Sequence, residues 1–309
     1  MGKPKGCLQI GCLGILAFVA LILIILGINL AVVVNRNGDE ELREEVLTSE
    51  SAPSDESVAI EWSDPKDENK PLAGLGRVVL ELNQGEFHLH PGKPGDGVLV
   101  KASYDANIYE LNQFGHTWAD SSWVYQLRFR RTISGLQAML SGIMDGNDET
   151  SIHIYLPPDL PFELNVLVNQ GGLEADVGGL WLTDIDLRMR QGGISFEVSE
   201  PLRQPLGTFS LHGRMGGGEI QDLGNASPRV VDIGFNMGGV ALDLSGEWLN
   251  DCDATLAVKM GGMEVAVPRN LTYDKSAEAN PTLIRTDEEV PKPTLRVTQK
   301  TNMGEIEFR

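Results

Sequence analysis

The 309-residue sequence is poor in cysteine and lacks the common catalytic motifs. Its three cysteines are Cys7, Cys12 and Cys252. Cys7 and Cys12 precede a long apolar run and Cys252 stands alone after it, so no disulfide is predicted within the larger C-terminal part. There is no HExxH, GxSxG or CxxC motif and no GK[ST] phosphate loop, so no catalytic site or cofactor is indicated. Packing must therefore supply the stability of this part.

Basic residues are also scarce relative to acidic ones. The sequence has 25 Lys and Arg and 44 Asp and Glu, which gives a net charge of −19. A nucleic acid needs cationic partners, so this balance argues against one. Much of the excess is local: residues 39–68 hold twelve acids against Arg43 and Lys66, a net of −10. With the Ser, Pro and Asn around them, these acids predict a disordered acidic stalk over residues 35–75.

The N-terminal part carries one long uncharged segment. No charged residue lies between Ile10 and Val34, and 25 residues in a helix span about 37 Å, enough to cross a bilayer. A cleaved signal peptide has a shorter apolar core, so a transmembrane helix is predicted over 10–34. Lys3 and Lys5 place the tail 1–9 in the cytoplasm and the C-terminal domain outside the cell membrane. Acylation of Cys7 or Cys12 stays open, as does the choice between periplasm and cell exterior.

The remainder, residues 76–309, is predicted to be an all-β repeat. Apolar residues alternate with polar ones between Gly, Pro and Asn turns, as in β-strands. A Met or Gln followed by a pair of glycines recurs along this part. The second residue after each glycine pair is used here to measure the length of the repeat. These positions step by 21, 24, 22 and 23 residues along the chain: Glu174, Ser195, Glu219, Ala241, Glu264. Such regular steps are typical of a stacked or solenoid-like architecture of short strands.

The glycine pairs are interpreted as structural bends rather than phosphate loops, because strands and not helices follow them. Ten glycines form these bends: Gly171, Gly172, Gly192, Gly193, Gly216, Gly217, Gly238, Gly239, Gly261 and Gly262. The apolar alternation slips by one residue between Met237 and Val240. Glycine can absorb such a slip, so both strand segments are expected to face one core. The flexible Met or Gln before each pair is expected to fill the space at the bend.

The stretch SIHIYLPPDLPFELNVLVNQGGLEADVGGLWLTDIDLRMRQGGISFEV, residues 151–198, resembles the bacterial toast-rack β-repeat family. The resemblance rests on the LPxDLPxxL turn and the repeated glycine-pair strands, and it extends over residues 76–309. Relatives include adhesin-type domains and domains of cell-wall-active antibiotic response proteins. The resemblance implies an all-β stack of short strands, a bacterial envelope location and no established catalysis. It supplies no functional residues.

Three segments are candidate partner contacts. The arginines of QLRFRRT and DLRMRQ share strand faces in pairs, Arg128 with Arg130 and Arg188 with Arg190. They form either the solvated side of a sheet or a contact for carbohydrate or another anionic polymer. In residues 133–144 apolar side chains follow helical spacing, which predicts either a cap over the open stack or a contact with membrane or protein. The candidate residues there are Leu136, Met139, Leu140 and Met144.

No metal site is predicted. His88 and His90 would face one side of a strand, but a third ligand is needed and the sequence indicates none. A second candidate is a column of carboxylates at equivalent repeat positions, which is either a weak cation site or a solvated face. Its predicted members are Glu174, Glu219, Glu264 and Glu305.

The function predicted from these features is a membrane-anchored, extracytoplasmic β-repeat scaffold of the adhesin type. It would bind envelope polysaccharide or another envelope protein and would not be an enzyme. An envelope-stress regulator acting on a membrane sensor is the alternative. A polysaccharide-active enzyme is a third hypothesis, which a groove with paired acids near Arg128 or Arg188 would favour. The number of rungs, the oligomeric state and the ligand stay open.

Overall fold

The computed structural model describes residues 70–106, 108–132, 150–274 and 292–309, together with the backbone of 42–48. The predicted transmembrane segment 10–34 and the apolar segment 133–144 therefore lie outside the described residues. Within the described part of the chain, no helix is long and apolar enough to cross a bilayer.

The described residues form an all-β protein, as the sequence predicts. Thirteen strands form one sheet, with a single 3-10 helix at Leu223–Ala226 among the described residues. The strands are β1 Leu42–Thr48, β2 Gly76–Pro91, β3 Leu99–Asp105, β4 Tyr109–Thr117, β5 Trp123–Arg131, β6 Ser151–Leu156, β7 Phe162–Asp176, β8 Leu182–Glu197, β9 Thr208–Gln221, β10 Val230–Asp243, β11 Cys252–Ala266, β12 Thr272–Asp274 and β13 Thr294–Phe308.

The repeat consists of seven long strands, here called rungs, that lie side by side in the order β2-β7-β8-β9-β10-β11-β13. All adjacent rungs are parallel and in register at the glycines. Each rung has 14 to 16 residues, longer than the short strands predicted, because the strand continues through the glycine pair. One repeat period is therefore one bent strand and its connection.

The bend folds the rungs into two layers that face each other. At β2 the layers separate, since β5 pairs with its first half and β6 with its second half. The first layer then continues to β4, and the second continues through β3 to β1. Phe87 in the second half of β2 packs edge-on against Phe129 of β5, with ring centroids 6.0 Å apart. The core therefore lies between the two halves of each rung.

β10 shows how the bend works. Phe235 and Val240 both point into the core and are buried, while residues 236–239 make the turn on the outside. Met237 is 38% exposed and Met260, at the same place in β11, is 39% exposed. The prediction that these methionines fill the space inside the bend is wrong. The inward alternation stops at Phe235, and the methionine sits on the outer side of the corner.

The structure differs from the sequence prediction at residues 42–48. Residues 42–48 belong to the predicted disordered stalk, but their backbone is a strand that pairs antiparallel with β3.

Cys252 begins β11 and is fully buried, and this burial raises the pKa of its thiol to about 12. The thiol is therefore shielded from disulfide exchange in the folded protein.

Candidate functional site

The strongest candidate is an open groove of about 690 Å³ on the outer face of the first layer, here called the arginine groove. Inward positions of the rungs are apolar and buried, so ligand-binding groups must stand on outward positions. The groove crosses β5, β2, β7, β8 and β9 and holds four arginines and three carboxylates: Arg77, Arg188, Arg190, Arg214, Glu81, Glu163 and Asp186.

Every one of the three carboxylates contacts an arginine. Arg77 Nε lies 2.8 Å from Glu163 Oε2, and Arg188 Nη2 lies 2.7 Å from Asp186 Oδ2. The third, Glu81, accepts a hydrogen bond of 2.7 Å from Nε of Arg128 at the edge of the groove. None of these acids is left for proton transfer without first breaking an ion pair.

Arg190 and Arg214 differ from the other arginines of the groove. The register places them next to each other on β8 and β9, because their neighbours Gln191 and Met215 are paired. Both side chains are exposed, and neither has an ion-pair partner among the residues that the structure describes. Two adjacent guanidinium groups without an acidic partner among the described residues concentrate positive charge at this point of a chain whose net charge is −19.

The structure separates the predicted arginines. Arg188 and Arg190 line the groove, whereas Arg128 and Arg130 lie on β5, where Glu81 and Glu110 hold them. Glu110 Oε2 lies 2.8 Å from Nη2 of Arg130. The pKa of this carboxyl is lowered, mainly by a hydrogen bond with Asn112 and to a smaller extent by Arg130.

Arg77 and Arg214 were missed by the sequence analysis. The sequence does carry a signal for one of them, because Arg190 in RQGG and Arg214 in RMGG precede the glycines by the same distance. Arg77 offers no such signal. Its place in the groove follows from β7 pairing beside β2, across a gap of 86 residues to Glu163.

A second groove, of about 490 Å³, crosses the outer face of the second layer. It is lined by Gly172, Gly193 and Gly217, which have no side chains, and by the carboxylates Glu174 and Glu219. The register corrects the predicted carboxylate column. Glu264 lies beside Glu307, whereas Glu305 lies beside Gly262, so Glu305 does not belong to this column.

Three histidines meet at the β2 end of this column. His153 of β6 lies opposite His88, with ring centroids 4.5 Å apart, and its Nδ1 is 3.3 Å from His90 Nε2. His88 Nδ1 also lies 2.9 Å from Glu174 Oε2. Burial and the neighbouring His88 ring lower the pKa of both His90 and His153. The sequence analysis missed His153 because its pairing with β2 spans about 60 residues.

Within the described ranges, no three His, Cys, Asp or Glu side chains form a group able to hold a metal ion. The other predicted contact residues, Leu136, Met139, Leu140 and Met144, lie outside the described residues.

Comparisons with known proteins place two solved structures beside this fold. No protein-family model and no curated protein matches the chain. A "putative cell adhesion protein" from Clostridium sporogenes is similar over 87% of this chain and 99% of its own, with 11% identity and a TM-score of 0.43. A "putative adhesin" from Bacteroides fragilis is similar over 88% of this chain and 98% of its own, with 10% identity and a TM-score of 0.34. Likeness at this level carries no argument about function, which therefore has to rest on the residues of this chain.

Proposed function

We propose that this chain is an adhesin-type binding scaffold of the cell envelope that holds an anionic polymer in the arginine groove. The observation that carries the proposal is the pair Arg190 and Arg214, exposed, adjacent and without an acidic partner among the described residues. Guanidinium groups form paired hydrogen bonds with carboxylate, sulfate and phosphate, which makes an anion the matching ligand.

The repeat gives the groove a geometry suited to a polymer. Adjacent strands are about 4.8 Å apart, so side chains on successive rungs stand in a row across the sheet. Arg188 lies beside His212 in the row next to Arg190 and Arg214. A polysaccharide with an acidic group on successive sugars could contact several of these side chains in turn.

Binding is favoured over catalysis by the carboxylates. Glu81, Glu163 and Asp186 are each tied to an arginine, whereas glycoside hydrolysis needs an acid and a base free to exchange protons. The apolar segment 10–34 and the resemblance to toast-rack domains support a place outside the cell membrane. In that arrangement the anchor would hold the groove toward the cell wall or a capsule.

The proposal is tested with the full chain in detergent, using heparin and polygalacturonate as anionic probes and dextran as the neutral one. Arg190→Glu combined with Arg214→Glu should weaken binding of the anionic probes roughly tenfold or more, since each factor of ten needs only about 1.4 kcal/mol. The matched control is Arg203→Glu with Arg229→Glu, which changes the net charge equally at two exposed sites outside the groove.

The control pair should bind nearly as well as the unmodified chain, and added salt should weaken binding in all cases. Equal losses in the two double variants would show that only overall charge matters and would refute the groove. Equal binding of dextran and polygalacturonate would refute an anionic ligand.

A further inference from the structure

Four methionines form an uninterrupted row along the outer corner of the fold, here called the methionine row. Met215, Met237, Met260 and Met303 each immediately precede the glycine at the bend of β9, β10, β11 and β13. The register pairs each one with the next, so their Cα atoms are neighbours across four consecutive rungs.

The row is exposed, unlike the other methionines that the structure describes. Its side chains are 38 to 69% exposed, whereas Met189 and Met263, on inward positions, are 2% exposed. The four therefore add nothing to the core. An apolar side chain gains nothing by facing water, so the position of the row calls for another reason.

The bend itself does not require sulfur. In the three rungs before the row, the same column holds glutamine: Gln84, Gln170 and Gln191. Glutamine has the same unbranched shape as methionine but carries an amide in place of the thioether. The fold therefore accepts either side chain at this corner, and the thioether is a chemical property of the last four rungs alone.

We propose that the methionine row binds Cu(I) through the thioether sulfurs of neighbouring rungs. Thioethers are soft ligands that select Cu(I) over harder divalent ions. Strands about 4.8 Å apart and side chains with three rotatable bonds allow sulfurs of adjacent methionines to converge on one ion.

The surroundings favour the last three members of the row, Met237, Met260 and Met303. The residues after the bend glycines are Gly239 and Gly262, and the nearest heavy atoms to where a Cβ would stand are backbone oxygens at 3.9 and 4.0 Å. The sulfurs can therefore approach one another over bare backbone. At β13 the corresponding residue is Glu305, which lies beside Gly262 in the register and adds a carboxylate at that end of the row. Met215 is less suitable because the corresponding residue of β9 is Gly217, where a Cβ would lie 3.4 Å from the carbonyl oxygen of Gly239 and the space is narrower.

The test is a competition for Cu(I) between the full chain and bicinchoninate, in detergent, without oxygen and with ascorbate. All proteins carry Cys7→Ser and Cys12→Ser, because those thiols would bind Cu(I) themselves. The chain should remove one equivalent of copper from the dye. Met237→Gln with Met260→Gln installs the residue that the same column already uses, and it should lower the affinity roughly tenfold or more.

The matched control is Gln84→Leu with Gln170→Leu, in the same column but outside the row. It should bind copper as the parent does, and urea unfolding should show that both double variants stay folded. Failure of the parent to take copper from the dye would overturn the proposal. Equal copper affinity of the parent and the Met237→Gln/Met260→Gln variant would overturn it too, by placing the ion elsewhere.

Discussion

The two glycines of each pair look alike in the sequence, but the fold requires a glycine at the first position and not at the second. At the first, Gly238 has φ 140°, in the region that favours glycine, and a Cβ there would collide with the carbonyl oxygen of Gly216. At the second, a Cβ on Gly172 or Gly193 would have nothing within 4 Å. In-register stacking of identical bends brings each first glycine against the backbone of the rung before it, so only the first is required by the fold.

The end rungs agree with this distinction. β2 and β13 keep the first glycine, Gly85 and Gly304, but carry Glu86 and Glu305 in the second position. A large charged residue is therefore compatible with the second position, because its side chain points into solvent. The repeated pair combines one residue fixed by the backbone with one that is free to change.

The largest effect is expected from Gly238→Ala. The added methyl group meets the Gly216 carbonyl and the backbone must leave its preferred region, which should lower the free energy of unfolding by about 3 kcal/mol or more. Gly239→Ala is the matched control and should change it by less than about 1 kcal/mol. Urea unfolding measures both. Similar losses in the two variants would erase the distinction between the two glycines.

A moderate effect is expected from the histidine cluster of His88, His90 and His153, which should make the free energy of unfolding depend on pH. The pKa values of His90 and His153 are lowered in the folded state, so the unfolded chain binds more protons just below the ordinary histidine pKa of 6.5. These groups therefore make stability fall as the pH drops through that window. Replacing both by Gln should flatten this part of the curve of unfolding free energy against pH. An unchanged slope between neutral pH and pH 5 would mean that the cluster does not couple to folding.

A small effect is expected from Met237→Asp, one residue before the fixed glycine. Its side chain is exposed, so the charge stays hydrated and the unfolding free energy should change by about 0.5 kcal/mol or less. Phe235→Asp, on the buried side of the same strand, should instead prevent folding. Thermal unfolding distinguishes the two variants. If Met237→Asp lowered the free energy of unfolding by several kcal/mol, the side chain of Met237 would point inward, as the sequence alternation predicts.

The smallest effect is expected from Glu264→Gln, two residues after the second glycine. Glu264 contacts Arg309, but both side chains are about half exposed, and such ion pairs contribute between zero and about 1 kcal/mol. The unfolding midpoint in urea should barely move. A shift as large as that of Gly238→Ala would show that this outward column is structural.

The sequence predicts the fold class and the repeat because both arise from local patterns, namely period-two alternation and the glycine steps. It misplaces Met237 because the alternation continues through that residue in the sequence, while the backbone already turns outward after Phe235. It misplaces Glu305 because β13 has one bend glycine instead of two, so a count from the glycines ends two residues early.

The site is less legible because it depends on which strands become neighbours. Arg190 is a candidate from sequence, yet its position beside Arg214 and the place of Arg77 in the groove follow from the order of the rungs. His153 joins His88 only through the pairing of β6 with β2. Residue type and spacing do not encode these long-range pairings.

Because every rung repeats the same bend in register, each rung adds the same length to the molecule. One further strand with its connection would extend both outer grooves and the corner by about 4.8 Å without altering the rungs already present. The number of strands therefore sets the length of these outer surfaces, whereas the few residues that stand outward on each strand set their chemistry.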